Sequence, residues 1–264
     1  MDFGLNLIDT APAYESGYSE KIVGAALKGR RDGMFVIDKI DNLLDLVAPQ
    51  VDASLRALSI DHTDMFAFHA VSEMEVWEML SAPGGGMDQL GKCVTAGKTR
   101  FRGISSHNPQ VLLAALDSGL CDVVMFPVGP FVNHRYVEQV LPLARQLRIG
   151  TVCFKTFGAG KLLGDTPGYN QPLQIRPRGK FSSGGDKPSC GPELPCLRID
   201  ECLHYTLTLN PDLALLGMSF ANEQDALMEA YKAFRQLSTD ELLDIRCRAE
   251  VAIQGKGPCW WNSQ

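Results

Sequence analysis

The chain has 264 residues, of which 45% are hydrophobic and 21% charged, with a formal net charge of −6. That length buries a sizeable core without covalent staples and sets one large domain, or at most two. The acidic balance gives no support to a nucleic-acid surface, which needs clustered Lys and Arg. No apolar run reaches the roughly 18 residues of a membrane span. The opening "MDFGLNLID" lacks the basic-then-apolar layout of a secretory leader.

The predicted strands are short apolar runs bounded by turn residues. In chain order they are "LNLID" 5–9, "MFVIDK" 34–39, "DMFAFH" 64–69, "FRGISS" 101–106, "VVMFPV" 123–128, "GTVCFKT" 150–156 and "LALLGM" 213–218. They are continuous rather than alternating, as strands buried on both faces should be. Helical patterns lie between them: 19–29, 42–58 with Pro49 as a flaw, and 74–98 broken into two at "PGGG". Further patterns cover 109–119, 137–150, 200–209 and 222–234. Ser238 and Glu241 form a capping box for a last helix over about 238–254.

Strand and helix alternate throughout, which predicts a parallel sheet with right-handed crossovers. Seven such units in one α/β domain over 1–264 point to a (β/α) TIM-type barrel rather than an open doubly wound sheet. No G-x-G-x-x-G follows a strand, against a Rossmann site. The long irregular segment 164–196 leaves the strand at 150–156 and would overhang the active face of a barrel. The tail after the last helix, within 238–264, carries "PCWWNS", read as an aromatic anchor ahead of a substrate cover.

Eight cysteines are scattered, several of them within apolar runs, which fits reduced thiols and a cytoplasmic location. The spacers of "CGPELPC" 190–196 and on to Cys202 are wider than those of usual zinc or iron–sulfur pairs. An ordinary loop before a helix-buried Cys202 is the reading, with no metal expected.

Ionisable residues mark the strand ends. Asp9 ends the first strand, with Tyr14 in the loop beyond; Lys39 ends the second and His69 the third. Singly, each has an ordinary reading: a turn cap, a loop aromatic, a solvated charge, a core histidine. Together, at the face where the strands of a barrel converge, they form one cavity. A free phenol, with a pKa of about 10, is a poor acid at neutral pH. A neighbouring ammonium should lower that value, a carboxylate would hold the ammonium, and a histidine could orient a carbonyl oxygen. The set suits carbonyl reduction, with the hydride supplied by a nicotinamide cofactor, since no side chain donates one.

"DTAPAY", the lysine of "FVIDKI" and the histidine of "MFAFHAV" resemble the four catalytic positions of the aldo-keto reductase family, in order and approximate spacing. The resemblance extends over nearly the whole chain. "GKTRFRGISSHNPQVLLAAL" is similar to the fifth-strand segment, where a Ser-Asn pair holds the nicotinamide carboxamide; here the pair is Ser105-Ser106. His107 beside it is read as a turn cap rather than a pocket residue. "GTVCFKTFGAGKLLG" resembles the seventh strand of a branch with Met-Lys-Pro and a glycine-rich turn. That likeness implies a nicotinamide-stacking ring at Phe154 and a cofactor turn at Gly158. Lys155 is read equally as a cofactor contact or an internal ion pair. "ECLHYTLTLNPDLALLGMSFANEQ" resembles the last helix and strand, placing Gly217, Met218 and Ser219 at the cofactor phosphates.

Four positions depart from the family. Ser106 replaces an Asn, Met125 falls where a Gln holds the nicotinamide, Phe154 keeps the flat stacking surface but lacks a hydroxyl, and Glu223 (or Gln224, one residue off) stands where many members place an Arg on the 2′-phosphate. The preference between NADPH and NADH therefore stays open. The family also has a first strand and most of a first helix before the segment matching "MDFGLNLIDTA", leaving seven strands of the barrel here. The expectation is that the gene product starts upstream of Met1.

The implied function is NAD(P)H-dependent reduction of aldehydes or ketones, or the reverse, on a small carbonyl or alcohol substrate. The alternative is a non-catalytic cofactor-binding or regulatory protein on the same barrel. A lyase or isomerase reading has only Lys39 and Lys155 to offer.

Overall fold

The structure is a computed structural model that describes residues 4–163, 195–217, 221–256, 258, 259, 261 and 262. Seven parallel strands follow one another in chain order in one sheet: β1 (Leu7–Asp9), β2 (Phe35–Ile40), β3 (Thr63–Phe68), β4 (Thr99–Ser105), β5 (Val123–Pro127), β6 (Gly150–Phe154) and β7 (Leu213–Ala214). Each answers to one apolar run of the sequence. β7 is shorter than its run, which reaches into residues outside those described. The helices are α1 (Tyr18–Leu27), α2 (Val47–Leu58), α3 (Met74–Ser81), α4 (Gly86–Thr95), α5 (Pro109–Asp117), α6 (Leu141–Leu147), α7 (Ile199–Thr208), α8 (Ala221–Lys232) and α9 (Thr239–Ala252).

The chain forms two compact units: residues 1–125 with 142–150, and residues 126–141 with 151–264. In the first, β2 and β3 are buried on both faces; Val36, Ile37, Ile40, Met65, Phe66, Ala67 and Phe68 are all fully inaccessible. This is why their sequences run apolar without alternation. Register sets Asp9 beside Ile37, Lys39 beside Ala67 and Ser105 beside Met125, so the strand ends come level. Asp64, at the start of β3, accepts from the Arg31 and Arg100 guanidiniums and from the Val36 N–H. That ties the opposite ends of three strands.

Local chemistry explains the boundaries. α2 starts at Val47 rather than 42, so Pro49 sits in the first turn, where its missing N–H is not needed. The break between α3 and α4 falls at the glycines expected. A Cβ on Gly85 would lie 2.6 Å from the carbonyl oxygen of Met79, so only glycine lets the backbone double back there. Asn108 caps α5 by accepting from the Gln110 N–H, with Pro109 following.

In the second unit Thr151 donates to Asp212 through both its N–H and its hydroxyl, fixing β6 against β7. The helical pattern at 137–150 resolves into a wide turn over Tyr136–Val140 that runs into α6. Phe157, Leu162, Cys202, Leu203, Leu227, Ile245 and Ala249 build the core of this unit. The capping box of Ser238 and Glu241 is present at the start of α9. Among the described residues no disulfide is formed, and no helix is long and apolar enough to cross a membrane.

Candidate active site

Asp9 is the last residue of β1, Lys39 the penultimate residue of β2, and His69 the first residue beyond β3. Lys39, only 2% exposed, donates from Nζ to Asp9 Oδ1 and, at 3.0 Å, to the carbonyl of Thr10. His69 is held through its backbone, whose N–H donates to the Ile40 carbonyl at 3.0 Å.

Tyr14 opens a short 3₁₀ turn over Tyr14–Gly17, in which Glu15 and Ser16 take left-handed conformations with φ of 49° and 53°. Its ring meets the His69 ring edge-on, 5.6 Å between centroids at an interplanar angle of 78°. The structure therefore brings Tyr14 to His69 and Lys39 to Asp9. Among the described residues no hydrogen bond joins the Tyr14 hydroxyl to either basic partner.

The electrostatics of the phenol run opposite to the sequence expectation. Burial raises the Tyr14 pKa, and the negative charges of Asp9, Asp41 and Asp38 raise it further. The Lys39 ammonium donates to Asp9 and Thr10 rather than to the phenol. The phenol is thus a firmly protonated reservoir in this state rather than an acid poised near neutrality.

Two carboxylates that the sequence reading passed over complete the surroundings. Asp41, the residue after β2, is hydrogen-bonded through Oδ1 to His69 Nδ1, and its Oδ2 accepts from the Ala13 N–H at 2.6 Å. Asp38 points to the other side of β2. It is fully buried, accepts from the Lys39 N–H through Oδ1, and feels the charge of the buried Glu20 carboxyl of α1. Asp38 Oδ2 and Glu20 Oε1 have no hydrogen-bond partner among the described residues. Burial drives the Asp38 pKa up to about 8, and the Glu20 charge adds to it. Asp38 is therefore the acid on this side of β2 that keeps its proton towards neutral pH.

The residues expected at a nicotinamide are placed as follows. Ser105 Oγ accepts from the Ala70 N–H at 2.8 Å. Ser106 is fully buried; its Oγ accepts from the Asn108 N–H at 3.0 Å and lies 3.4 Å from the Asn108 carbonyl, so it is spent on the turn. Met125 is buried and offers only a thioether. In the second unit Phe154 ends β6 half-buried, with the Lys155 ammonium 5.9 Å from its ring centroid. The same ammonium lies 5.5 Å from the Trp261 ring, so Lys155 rests among aromatic faces. Gly158 takes φ of 55°, as a tight turn after the strand requires. Gly217 is exposed, Met218 and Ser219 lie outside the described residues, and Glu223 is in α8 with its side chain outside them. Residues 164–194 of the long loop also lie outside.

The tail is an anchor, as read from its composition. Trp261 is fully buried and donates from Nε1 to the Phe131 carbonyl at 3.3 Å.

The family model of the Aldo/keto reductase family matches residues 1–240. The chain belongs to that family. It is 28% identical over 180 residues to aldo-keto reductase YhdN of Bacillus subtilis, covering 62% of this chain and 51% of that protein. The chain thus spans about half the length of that curated relative. The fold matches the holo form of aldo-keto reductase AKR11C1 from Bacillus halodurans with a TM-score of 0.68 at 22% identity, covering 96% of this chain and 86% of that one. It also matches an aldo-keto reductase from Klebsiella pneumoniae solved in complex with NADPH, with a TM-score of 0.63 at 21% identity over 92% and 80% of the two chains. The α/β architecture with parallel strands in chain order is that of the aldo-keto reductase barrel, with seven strands here.

Proposed function

We propose that this chain is an NAD(P)H-dependent oxidoreductase that interconverts aldehydes or ketones and their alcohols. The observation that carries the reading is the meeting of Tyr14 with His69, and of Lys39 with Asp9, at the level ends of three adjacent strands. Family membership and the NADPH held by the Klebsiella protein support the cofactor. Ser105, by its spare hydroxyl hydrogen, fits a nicotinamide carboxamide; Ser106 and Met125 add no amide contact.

When bound, a reduced nicotinamide supplies the hydride. Tyr14 gives its proton to the carbonyl oxygen, and the Lys39 ammonium stabilises the phenolate left behind. Asp9 fixes that ammonium, and His69 orients the substrate oxygen. The high resting pKa of Tyr14 means that transfer depends on charge developing on that oxygen as hydride arrives. Alcohol oxidation runs the same transfers in reverse.

The test is Tyr14→Phe. Turnover of a broad carbonyl panel, followed by NADPH oxidation, should vanish, while cofactor binding followed by fluorescence stays nearly unchanged. Equal turnover in the variant would end this assignment. Buried Met125 and the committed hydroxyl of Ser106 favour a second reading, a cofactor-binding protein without turnover. Tight cofactor binding with no turnover across the panel would decide for it.

A further inference from the structure

We propose that Asp41, outside the four family positions, is a positioning residue that clamps the His69 ring and the Tyr14 loop together and fixes the tautomer His69 presents. The clamp has two arms on one carboxylate. Oδ1 meets His69 Nδ1, and Oδ2 accepts from the Ala13 N–H at 2.6 Å, one residue before Tyr14. The main chain reinforces it, since the His69 N–H donates to the carbonyl of Ile40, the residue before Asp41. One side chain at the end of β2 therefore sets both rings of the edge-on pair. Burial works against its charge, but the hydrogen bonds from His69 and Ala13 and the charges of His69 and Lys39 outweigh it, so Asp41 stays ionised.

The chemistry follows from the acceptor. A carboxylate facing Nδ1 needs a hydrogen there, because two lone pairs would repel. Neutral His69 then presents the lone pair of Nε2. It offers an Nε2–H donor to a substrate oxygen only as the imidazolium. Asp9, Lys39, Asp38 and Tyr14 are the other charged or titratable groups around this dyad. Asp41 thus decides what the imidazole can do without touching substrate. This inference rests on the roles proposed above for Tyr14 and His69, and its primary readout does not.

The experiment is long-range proton–nitrogen NMR of the His69 imidazole in the full chain, assigned by loss of the signals in His69→Gln. Wild type should show the Nδ1–H form, with a proton shifted downfield by the carboxylate. Asp41→Asn keeps the volume but can donate to Nδ1, so the Nε2–H form should appear. Asp41→Glu should keep the Nδ1–H form. In parallel, kcat of Asp41→Asn on the carbonyl panel should fall about 10- to 100-fold with the cofactor KM little changed, and Asp41→Glu should recover part of it. An Nε2–H form in wild type, or an unchanged tautomer in Asp41→Asn, would overturn the clamp. The expected tautomers in a chain with no turnover would uphold it and sink the proposed activity instead.

Discussion

Lys39 donates from Nζ both to the Asp9 carboxylate and to the Thr10 carbonyl, so the ammonium of one strand is fixed by the end of its neighbour. Replacing it by methionine keeps most of the buried stem and removes the charge. Lys39→Met should lower kcat about 100-fold or more on any carbonyl that the wild type reduces. Asp9→Asn should lower it too, and the double variant should be little worse than Lys39→Met alone, because Asp9 acts through the lysine. A steady-state double-mutant cycle checks this; additive losses would mean that Asp9 has a role of its own.

Asp38 gives the fold a pH dependence with a definite sign. Its folded pKa, about 8, lies above the unfolded value near 3.8, because burial and Glu20 disfavour the charge. The folded state therefore holds the extra proton between those values. Stability from this group is complete below about pH 4, declines as pH rises towards 8, and is flat above that. Asp38→Asn keeps the acceptor for the Lys39 N–H and can donate to Glu20. It should remove the decline and stabilise the chain at pH 8 by on the order of 2–4 kcal/mol. Urea unfolding at pH 5, 6.5 and 8 measures it, and a variant as pH-sensitive as wild type would rule out Asp38 as the source of the decline.

Gly103 has no room for a methyl group. A Cβ there would fall 1.9 Å from the Val123 carbonyl oxygen on the neighbouring strand and 3.0 Å from Met65 Cε. Gly103→Ala should cost about 3 kcal/mol or more, since the obstacle is backbone that cannot swing aside. A thermal melt within a degree or two of wild type would contradict the register of β4 on β5.

Among the described residues Trp261 is the largest fully buried side chain, with the Lys155 and Lys161 ammoniums 5.5 and 5.7 Å from its ring. Trp261→Ala should destabilise the second unit by about 3–5 kcal/mol and weaken hydrogen-exchange protection around Phe131 and Lys161. Protection unchanged at those residues would show that the tail is not an anchor.

The strands were legible because a parallel sheet covered on both faces leaves unbroken apolar runs, and the ends of the first three were legible because an ionisable residue stands where each run stops. Lys39 and His69 could be found that way. Asp41 could not: it follows β2 directly, in "DNLLDL", which reads as the approach to a helix, and its partners lie 28 residues away on either side. Asp38 carried a usable signal, a carboxylate inside a run buried on both faces, but Glu20 had to be placed in space before the pair had meaning. The shift of the Tyr14 phenol was misjudged for a related reason. Sequence pairs a lysine with a tyrosine readily, but it does not show that the lysine is already engaged or that three acids surround the ring.

Glu15 and Ser16 sit one after the other in a backbone region that costs L-amino acids with a Cβ on the order of 1–2 kcal/mol each. The shape is held by the Tyr18 N–H, which donates to the Tyr14 and Glu15 carbonyls, and by attachments on the near side such as the hold on Ala13 and the Tyr14 N–H donating to the Ala11 carbonyl. Ser16→Gly would relax the bend and raise the melting temperature. It would also let the phenol wander from its imidazole, so the same change that toughens the chain should blunt it as a reagent.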